Sequence, residues 1–168
     1  MAEVSFRIRP VRSPGDLEAT VQLFKAYASA LGIDLGYQDF ATELATLPGK
    51  YAPPAGELLL ARGQDGAPLG CVGLRPIAPD GCCEMKRLYV APAARGVGLG
   101  RALVAAVIDG AVRGGYREMR LDTLPTMAEA IALYRAAGFA PIAPYYDTPI
   151  AETLFFARAL RPDRATSP

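Results

Sequence analysis

Histidine is missing from all 168 residues, and so is tryptophan. The first absence removes the Ser-His-Asp and Cys-His nucleophile arrangements and every His-ligated zinc site in one stroke. Cysteine is sparse: Cys71, Cys82 and Cys83 are an odd number for disulfides and lack metal-ligand spacing, so they read as apolar filling in a reducing compartment. Lysine occurs only at Lys25, Lys50 and Lys86, the remaining cations being arginine, and the net charge is +1. That balance argues against a nucleic-acid binder with a broad basic surface. No stretch approaches the ~18 apolar residues of a membrane span, and the opening "MAEVSFRIRPV" has no signal-peptide apolar run. These absences predict a cytoplasmic protein with no metal, no nucleic-acid partner and no membrane partner.

What is present is a globular composition, 51% hydrophobic and 21% charged, in a chain long enough to bury a core without staples. The expectation is one domain over residues 1–168, with a core from about 4 to 160 and a frayed tail, "RPDRATSP", at 161–168. Alternation in "VSFRIRPV" predicts a strand. Ser13 caps the next helix, with Pro14 in its first turn and Leu17, Val21, Phe24, Ala28 and Leu31 as its apolar stripe. A short helix is expected in "YQDFATELATL", then a hairpin of "ELLLARG" and "LGCVGLRPIA" about an Asp-Gly turn, then a strand in "CCEMKRLYV". Leu99, Leu103, Val107 and Ala111 form the stripe of a helix that stops at Gly114 and Gly115. "YREMRLDT" follows as a strand. "TMAEAIALYRAAG" follows as a helix capped by Thr126 and stopped by Gly138, and "FAPIAPYY" and "ETLFFARAL" are the final strands. The order is that of a mixed α/β domain.

The stretch "ARGVGLGRAL", 94–103, places three glycines at the mouth of a helix. A backbone that bare suits an anion, because the first helical turn has unpaired N–H groups and the positive end of the dipole. The spacing is not G-x-G-x-x-G, since Arg101 or Leu103 stands at the last position, and it is not a P-loop, since Gly49-Lys50 is followed by Tyr51. A tight strand-to-helix turn accounts for the glycines equally well.

Taken as Arg95-x-x-Gly98-x-Gly100 after a strand, the segment resembles the acyl-CoA pyrophosphate loop of the GNAT superfamily of N-acetyltransferases, whose pattern is [QR]-x-x-G-x-[GA]. Some forty residues on, "LYRAAGF" resembles the family's second hallmark, a helix ending in Tyr-x-x-x-Gly-Phe. The resemblance spans approximately residues 4–160. It implies a mixed, mostly antiparallel sheet with a splayed central parallel strand pair, flanked by about four helices. It also implies acetyl-CoA as co-substrate and direct transfer of the acetyl group to a primary amine in a ternary complex.

Carried over residue by residue, the resemblance implies that backbone N–H groups at Gly96, Val97, Gly98, Leu99, Gly100 and Arg101 hold the pyrophosphate. Arg95 bonds phosphate or braces the loop. In "CCEMKRLYV" the Leu88 N–H polarises the acetyl carbonyl, and the main chain at Leu88, Tyr89 and Val90 pairs with the pantetheine amides. Tyr134 stands at the family's general acid, a role a phenol of ordinary pKa ~10 suits, although Ala130, Ile131, Tyr134 and Ala137 also make a core face. Glu84, eleven residues before Arg95, is the candidate base; orienting the substrate, pairing with Lys86, or leaving the work to a water chain are equal readings. Strand alternation sets Glu84 on one face with Lys86 and Leu88.

Lys86 is a candidate for an acidic group on the substrate. Asp122 and Thr123 end the strand beside the splay, and Tyr145 and Tyr146 stand in the loop that covers the acceptor pocket in the family. The acceptor is a small-molecule amine, for which an amino acid and a polyamine-like compound both fit, and peptide N-termini stay open. A homodimer through the final strands is compatible with the sequence. The competing classes are a non-catalytic acyl-CoA-binding sensor or interaction module, which needs neither Tyr134 nor Glu84, and a nucleotide-binding regulator that uses the glycine loop alone.

Overall fold

The computed structural model describes residues 4–160; the 161–168 segment expected to fray lies outside them. Strand β1 (Phe6–Pro10) leads to helix α1 (Pro14–Leu31), a 3-10 turn and helix α2 (Phe40–Thr46). Strands β2 (Glu57–Gly63), β3 (Pro68–Ile77) and β4 (Cys82–Val90) form an antiparallel meander. Helix α3 (Leu99–Arg113), strand β5 (Glu118–Thr123), helix α4 (Ala128–Ala136), the two-residue strand β6 (Ala140–Pro141) and strand β7 (Leu154–Ala159) complete the described chain. All seven strands belong to one sheet in the order β1-β2-β3-β4-β5-β7-β6. Among the described strands only β4 and β5 pair in parallel, as a strand-helix-strand crossover through α3 requires.

Each face of the sheet has its own core. On one face Leu99, Leu103, Val104, Val107, Ile108 and Ala111 of α3 pack on Leu59, Val72, Leu74, Cys83, Met85, Met119 and Leu121, with Tyr134 of α4 and Phe139 beside them. Burying each of those larger aliphatic side chains contributes about 1.5–3 kcal/mol. The interior Gly110 costs only about 1 kcal/mol relative to alanine, so packing outweighs propensity in keeping α3 helical. On the other face Leu23 and Phe24 of α1 pack on Tyr51, Leu58, Leu60 and Cys71.

Several local expectations shift. Ser13 caps α1, accepting from the Asp16 N–H at 3.1 Å, but the buried row is Thr20, Leu23 and Phe24, one step around from the apolar stripe. Thr20 can be buried because its hydroxyl donates to the Asp16 carbonyl at 2.7 Å. Thr126 is not the cap of α4: the N-cap is Met127, without a side-chain hydrogen bond. The strand expected over "FAPIAPYY" shrinks to Ala140–Pro141, since Pro141 and Pro144 have no N–H to offer a ladder; the chain beyond runs as a loop over the sheet to β7.

Candidate active site

The β4–β5 pairing covers only Cys82–Glu84 against Glu118–Arg120. Beyond it the strands diverge, and β4 is held by β3 alone. There the β3–β4 register slips between Cys71 and Gly73, because β4 contains one extra residue. Arg87 takes up the bulge with φ +60°, a conformation that costs a non-glycine residue roughly 1–2 kcal/mol. Its side chain offsets that cost: Nε and Nη2 donate to the two Glu43 carboxylate oxygens at 2.9 and 3.2 Å, and the guanidinium lies over Phe40 and Tyr27 at 5.0 and 5.7 Å from the ring centroids. With the Arg87 side chain 1% exposed, this is a buried, fully paired cation.

The bulge reverses the alternation of β4. Leu88 and Val90 pack with the α3 and α4 core, whereas Glu84 and Lys86 stay on the α1 side with Arg75, Gln38 and Tyr145. The expectation that Leu88 shares a face with Glu84 is therefore corrected. Leu88 has no register partner on β3 or β5, which leaves its main chain in the mouth of the splay.

Below the splay the chain turns through Pro92–Ala94 into α3, whose N-cap is Gly98 with φ +85° and no side-chain cap. Gly96 also has φ +80°, and a Cβ at either residue would meet nothing within 4 Å. The loop thus presents unclaimed helix N–H groups on an open surface, which is what a pyrophosphate needs. Gly100 is bare for another reason: a Cβ there would lie 2.9 Å from Leu133 Cδ1, so it lets α4 close on α3. Arg95 Nε donates to the Val90 carbonyl at 3.2 Å, a contact that ties the loop to the end of β4.

A cleft of ≈ 530 Å³ runs from Arg95 and Gly100 along Leu88, Tyr89 and Val90 toward α1 and α4. It shares Tyr27, Leu31, Leu88 and Met127 with a second cavity, lined among others by Lys86, Asp122, Thr123 and Tyr134. Burial, with smaller contributions from Tyr27 and Asp122, holds the Tyr134 phenol above its ordinary pKa, so the hydroxyl keeps its proton through neutral pH. Burial also pushes Tyr27 up to about 12 despite neighbouring Arg87. For Lys86, burial lowers the pKa, while Asp122 and Glu84 oppose the shift and Arg87 and Arg75 add to it.

Glu84, Tyr145 and Tyr146 do not line this cavity. Glu84 is 2% exposed, and both its oxygens are engaged: Arg75 Nε donates to Oε1 at 2.8 Å and the Tyr145 hydroxyl to Oε2 at 2.5 Å. The Tyr146 hydroxyl donates to Asp122 Oδ2. Both tyrosine rings pack on Phe155 at 5.2 Å, and burial together with the two carboxylates raises both phenols well above the ordinary value.

Tyr27, Gln38, Glu43 and Arg75 were not among the sequence candidates. Arg75 was within reach, because it stands directly opposite Glu84 on the β3–β4 hairpin and opposite charges at that offset signal a cross-strand pair. Gln38 and Glu43 meet β4 from 48 and 44 residues away, with no local pattern to announce them. Among the described residues no group of three or more Cys, Asp or Glu side chains could hold a metal ion, and no helix is long and apolar enough to cross a membrane.

Comparison with known proteins places this geometry. The model of the Acetyltransferase (GNAT) family matches residues 19–139. An uncharacterized N-acetyltransferase of Schizosaccharomyces pombe is 42% identical over 155 residues, which cover 92% of this chain and 95% of that protein. The IAA acetyltransferase of Azospirillum brasilense is 35% identical over 148 residues, 85% of this chain and 92% of its own. A GNAT-family acetyltransferase from Staphylococcus aureus, solved by crystallography, has the same fold: TM-score 0.78 at 19% identity, over 94% of this chain and 100% of that one.

Proposed function

The chain belongs to the GNAT family of acetyltransferases and is an N-acetyltransferase; from that premise we propose that it transfers acetyl from acetyl-CoA directly to the primary amine of a small molecule, in a ternary complex without a covalent enzyme intermediate. The observation that carries this reading is the pair of adjoining cavities. One ends on the open N-terminus of α3, and the other brings Tyr134 and Asp122 to the splay.

Acetyl-CoA, when bound, supplies an activated acetyl group and a thiolate leaving group. The N–H groups from Gly96 to Arg101 bind its pyrophosphate, and Arg95, tied to Val90, keeps that loop in place. The main chain of Leu88, Tyr89 and Val90 pairs with the pantetheine amides, and the Leu88 N–H polarises the acetyl carbonyl from a preorganised position. Tyr134 Oη gives up its proton to the departing sulfur, a role its raised pKa supports because the phenol is protonated when needed. Of the readings open for Glu84, its burial and two engaged oxygens favour orientation. Asp122, whose Oδ1 has no hydrogen-bond partner among the described residues, is the carboxylate that reaches the cavity and takes the proton from the incoming ammonium. Thr123 and Lys86 line the acceptor side, and Tyr145 and Tyr146 hold the carboxylates from behind.

A small acceptor is supported by the enclosure of the Tyr134 cavity between α1, the splay and the loop before β7. We further propose one domain over residues 1–168, since every described strand belongs to a single sheet, acting in the cytoplasm. Isothermal titration with acetyl-CoA and separately with ATP, followed by a thiol-release screen over amines, tests the reading. Acetyl-CoA binding with amine-dependent release of coenzyme A supports it. Acetyl-CoA binding with no release for any amine would leave an acyl-CoA sensor in its place, and heat with ATP alone would leave a nucleotide-binding regulator.

A further inference from the structure

The charged side chains around the splay are almost all paired with one another. Arg75 takes Glu84, Arg87 takes Glu43, and Arg120 takes Glu118 through Nε and Nη2, both at 2.9 Å. Of the charged residues that line the Tyr134 cavity, Lys86, Arg87 and Asp122, only Arg87 has a hydrogen-bonded ion-pair partner among the described residues. Lys86 Nζ donates to the neutral Gln38 Oε1 at 3.0 Å and lies 4.0 Å from Glu84 Oε1, an oxygen that Arg75 already occupies. That distance is too long for a hydrogen bond. Among the described residues Asp122 has only the Tyr146 hydroxyl, on Oδ2, and no Lys86–Asp122 contact closes within 4.0 Å. The Lys86 side chain is 5% exposed, so the two donors left on its ammonium have little bulk water to turn to.

A buried cation and a half-buried carboxylate that do not meet are costly unless something completes them. We propose that the completing ligand is the acceptor itself, an amino-acid-type zwitterion whose carboxylate binds Lys86 Nζ and whose amine is directed to Asp122 beside Tyr134. The proposal rests on the acetyltransferase reading above and names its substrate class. A polyamine fits poorly, since its second ammonium would face Lys86, and a peptide N-terminus would offer a neutral amide where Lys86 needs an anion. Arrival of a carboxylate also gives Lys86 a hydrogen-bonded counter-ion, which Glu84 Oε1 at 4.0 Å does not supply.

The test compares three forms of each amine. Free α- and β-amino acids, their carboxamides and their decarboxylated amines are assayed for thiol release with acetyl-CoA, and the same compounds are titrated calorimetrically into the enzyme saturated with coenzyme A. The expected result is that acids exceed their carboxamides in kcat/KM and in affinity by about 10- to 100-fold, the worth of a hydrogen bond to a charged group. In Lys86→Met the acid-to-carboxamide ratio should collapse toward one, and in Lys86→Arg it should be retained in part. Circular dichroism establishes that each variant is folded, and the binding ratio is read even if turnover is lost. Carboxamides or simple amines matching the acids in the wild type would overturn the inference while leaving the acetyltransferase intact. An acid preference that survives in Lys86→Met would overturn the role of Lys86. Absence of amine-dependent thiol release together with absence of amine binding would sink the acetyltransferase reading itself.

Discussion

Tyr145 Oη donates to Glu84 Oε2 at 2.5 Å across a sequence separation of 61 residues, and so pins the loop before β7 to the centre of the sheet. Glu84 is held on its other oxygen by Arg75, so the carboxylate is fixed from both sides. Removing the phenol leaves a buried carboxylate oxygen without its donor. Tyr145→Phe should therefore destabilise the fold by about 1–3 kcal/mol, toward the lower end because Arg75 remains. Thermal unfolding should show a fall of roughly 2–10 °C in Tm; an unchanged Tm would mean that the contact contributes nothing to holding the loop.

Tyr134→Phe removes the proposed proton donor and keeps the ring that packs edge-on against Phe139 at 6.0 Å. The expected loss in kcat is about 10²- to 10⁴-fold, with the acetyl-CoA dissociation constant little changed because the pyrophosphate loop is remote from the phenol. Turnover equal to wild type would reduce Tyr134 to a core aromatic.

The raised pKa of Tyr134 has its own pH signature. A general acid works while protonated, so its contribution is present below its folded pKa and is lost as pH rises through it. Burial moves that loss upward, so the alkaline limb of kcat assigned to Tyr134 should lie above pH ~10, the ordinary tyrosine value. A Tyr134-dependent limb near neutrality in a pH–rate profile would contradict the burial shown here.

Gly98→Ala places a Cβ on a residue with φ +85° and with no neighbour within 4 Å. The strain is about 1–2 kcal/mol and comes from the backbone alone. Its larger consequence should be at the anion site, where calorimetry is expected to show acetyl-CoA binding weakened at least tenfold. Unaltered affinity would move the pyrophosphate away from this loop.

Glu43→Gln leaves the Arg87 guanidinium buried without its counter-ion at the β4 bulge, a change that should cost about 3–5 kcal/mol in urea unfolding. Adding Arg87→Met should recover part of that loss, because the unpaired charge is gone. A double-mutant cycle with coupling below ~0.5 kcal/mol would show that the pair does not hold the bulge.

Much of the frame was readable along the chain, because its determinants lie within a few residues of one another. The stripe Leu99, Leu103, Val107 and Ala111 is a 3.6-residue period, and all four side chains are buried. The Ser13 cap and the Arg95-x-x-Gly98-x-Gly100 turn are likewise local chemistry. Where the local signal was thin, the expectation slipped: Thr126 does not cap α4, and "FAPIAPYY" forms only two residues of strand, its prolines withholding the donors a ladder needs.

The face of Leu88 shows the limit most plainly. Alternation within "CCEMKRLYV" sets it beside Glu84, and one extra residue at Arg87 turns it to the other side of the sheet. Nothing inside β4 encodes that turn; it depends on Glu43, Phe40 and Tyr27 arriving from α1 and α2 to hold an arginine in a left-handed conformation. The sequence by itself determined most of the elements, their order and the glycine-rich turn into α3, since propensity, periodicity and capping act over one or two turns of chain. Tertiary structure decided which carboxylate faces the cavity and which charges are left unpaired, because those depend on contacts such as Tyr146–Asp122, Arg87–Glu43, Lys86–Gln38 and Tyr145–Glu84, 24 to 61 residues apart, and no period in a sequence spans such a distance.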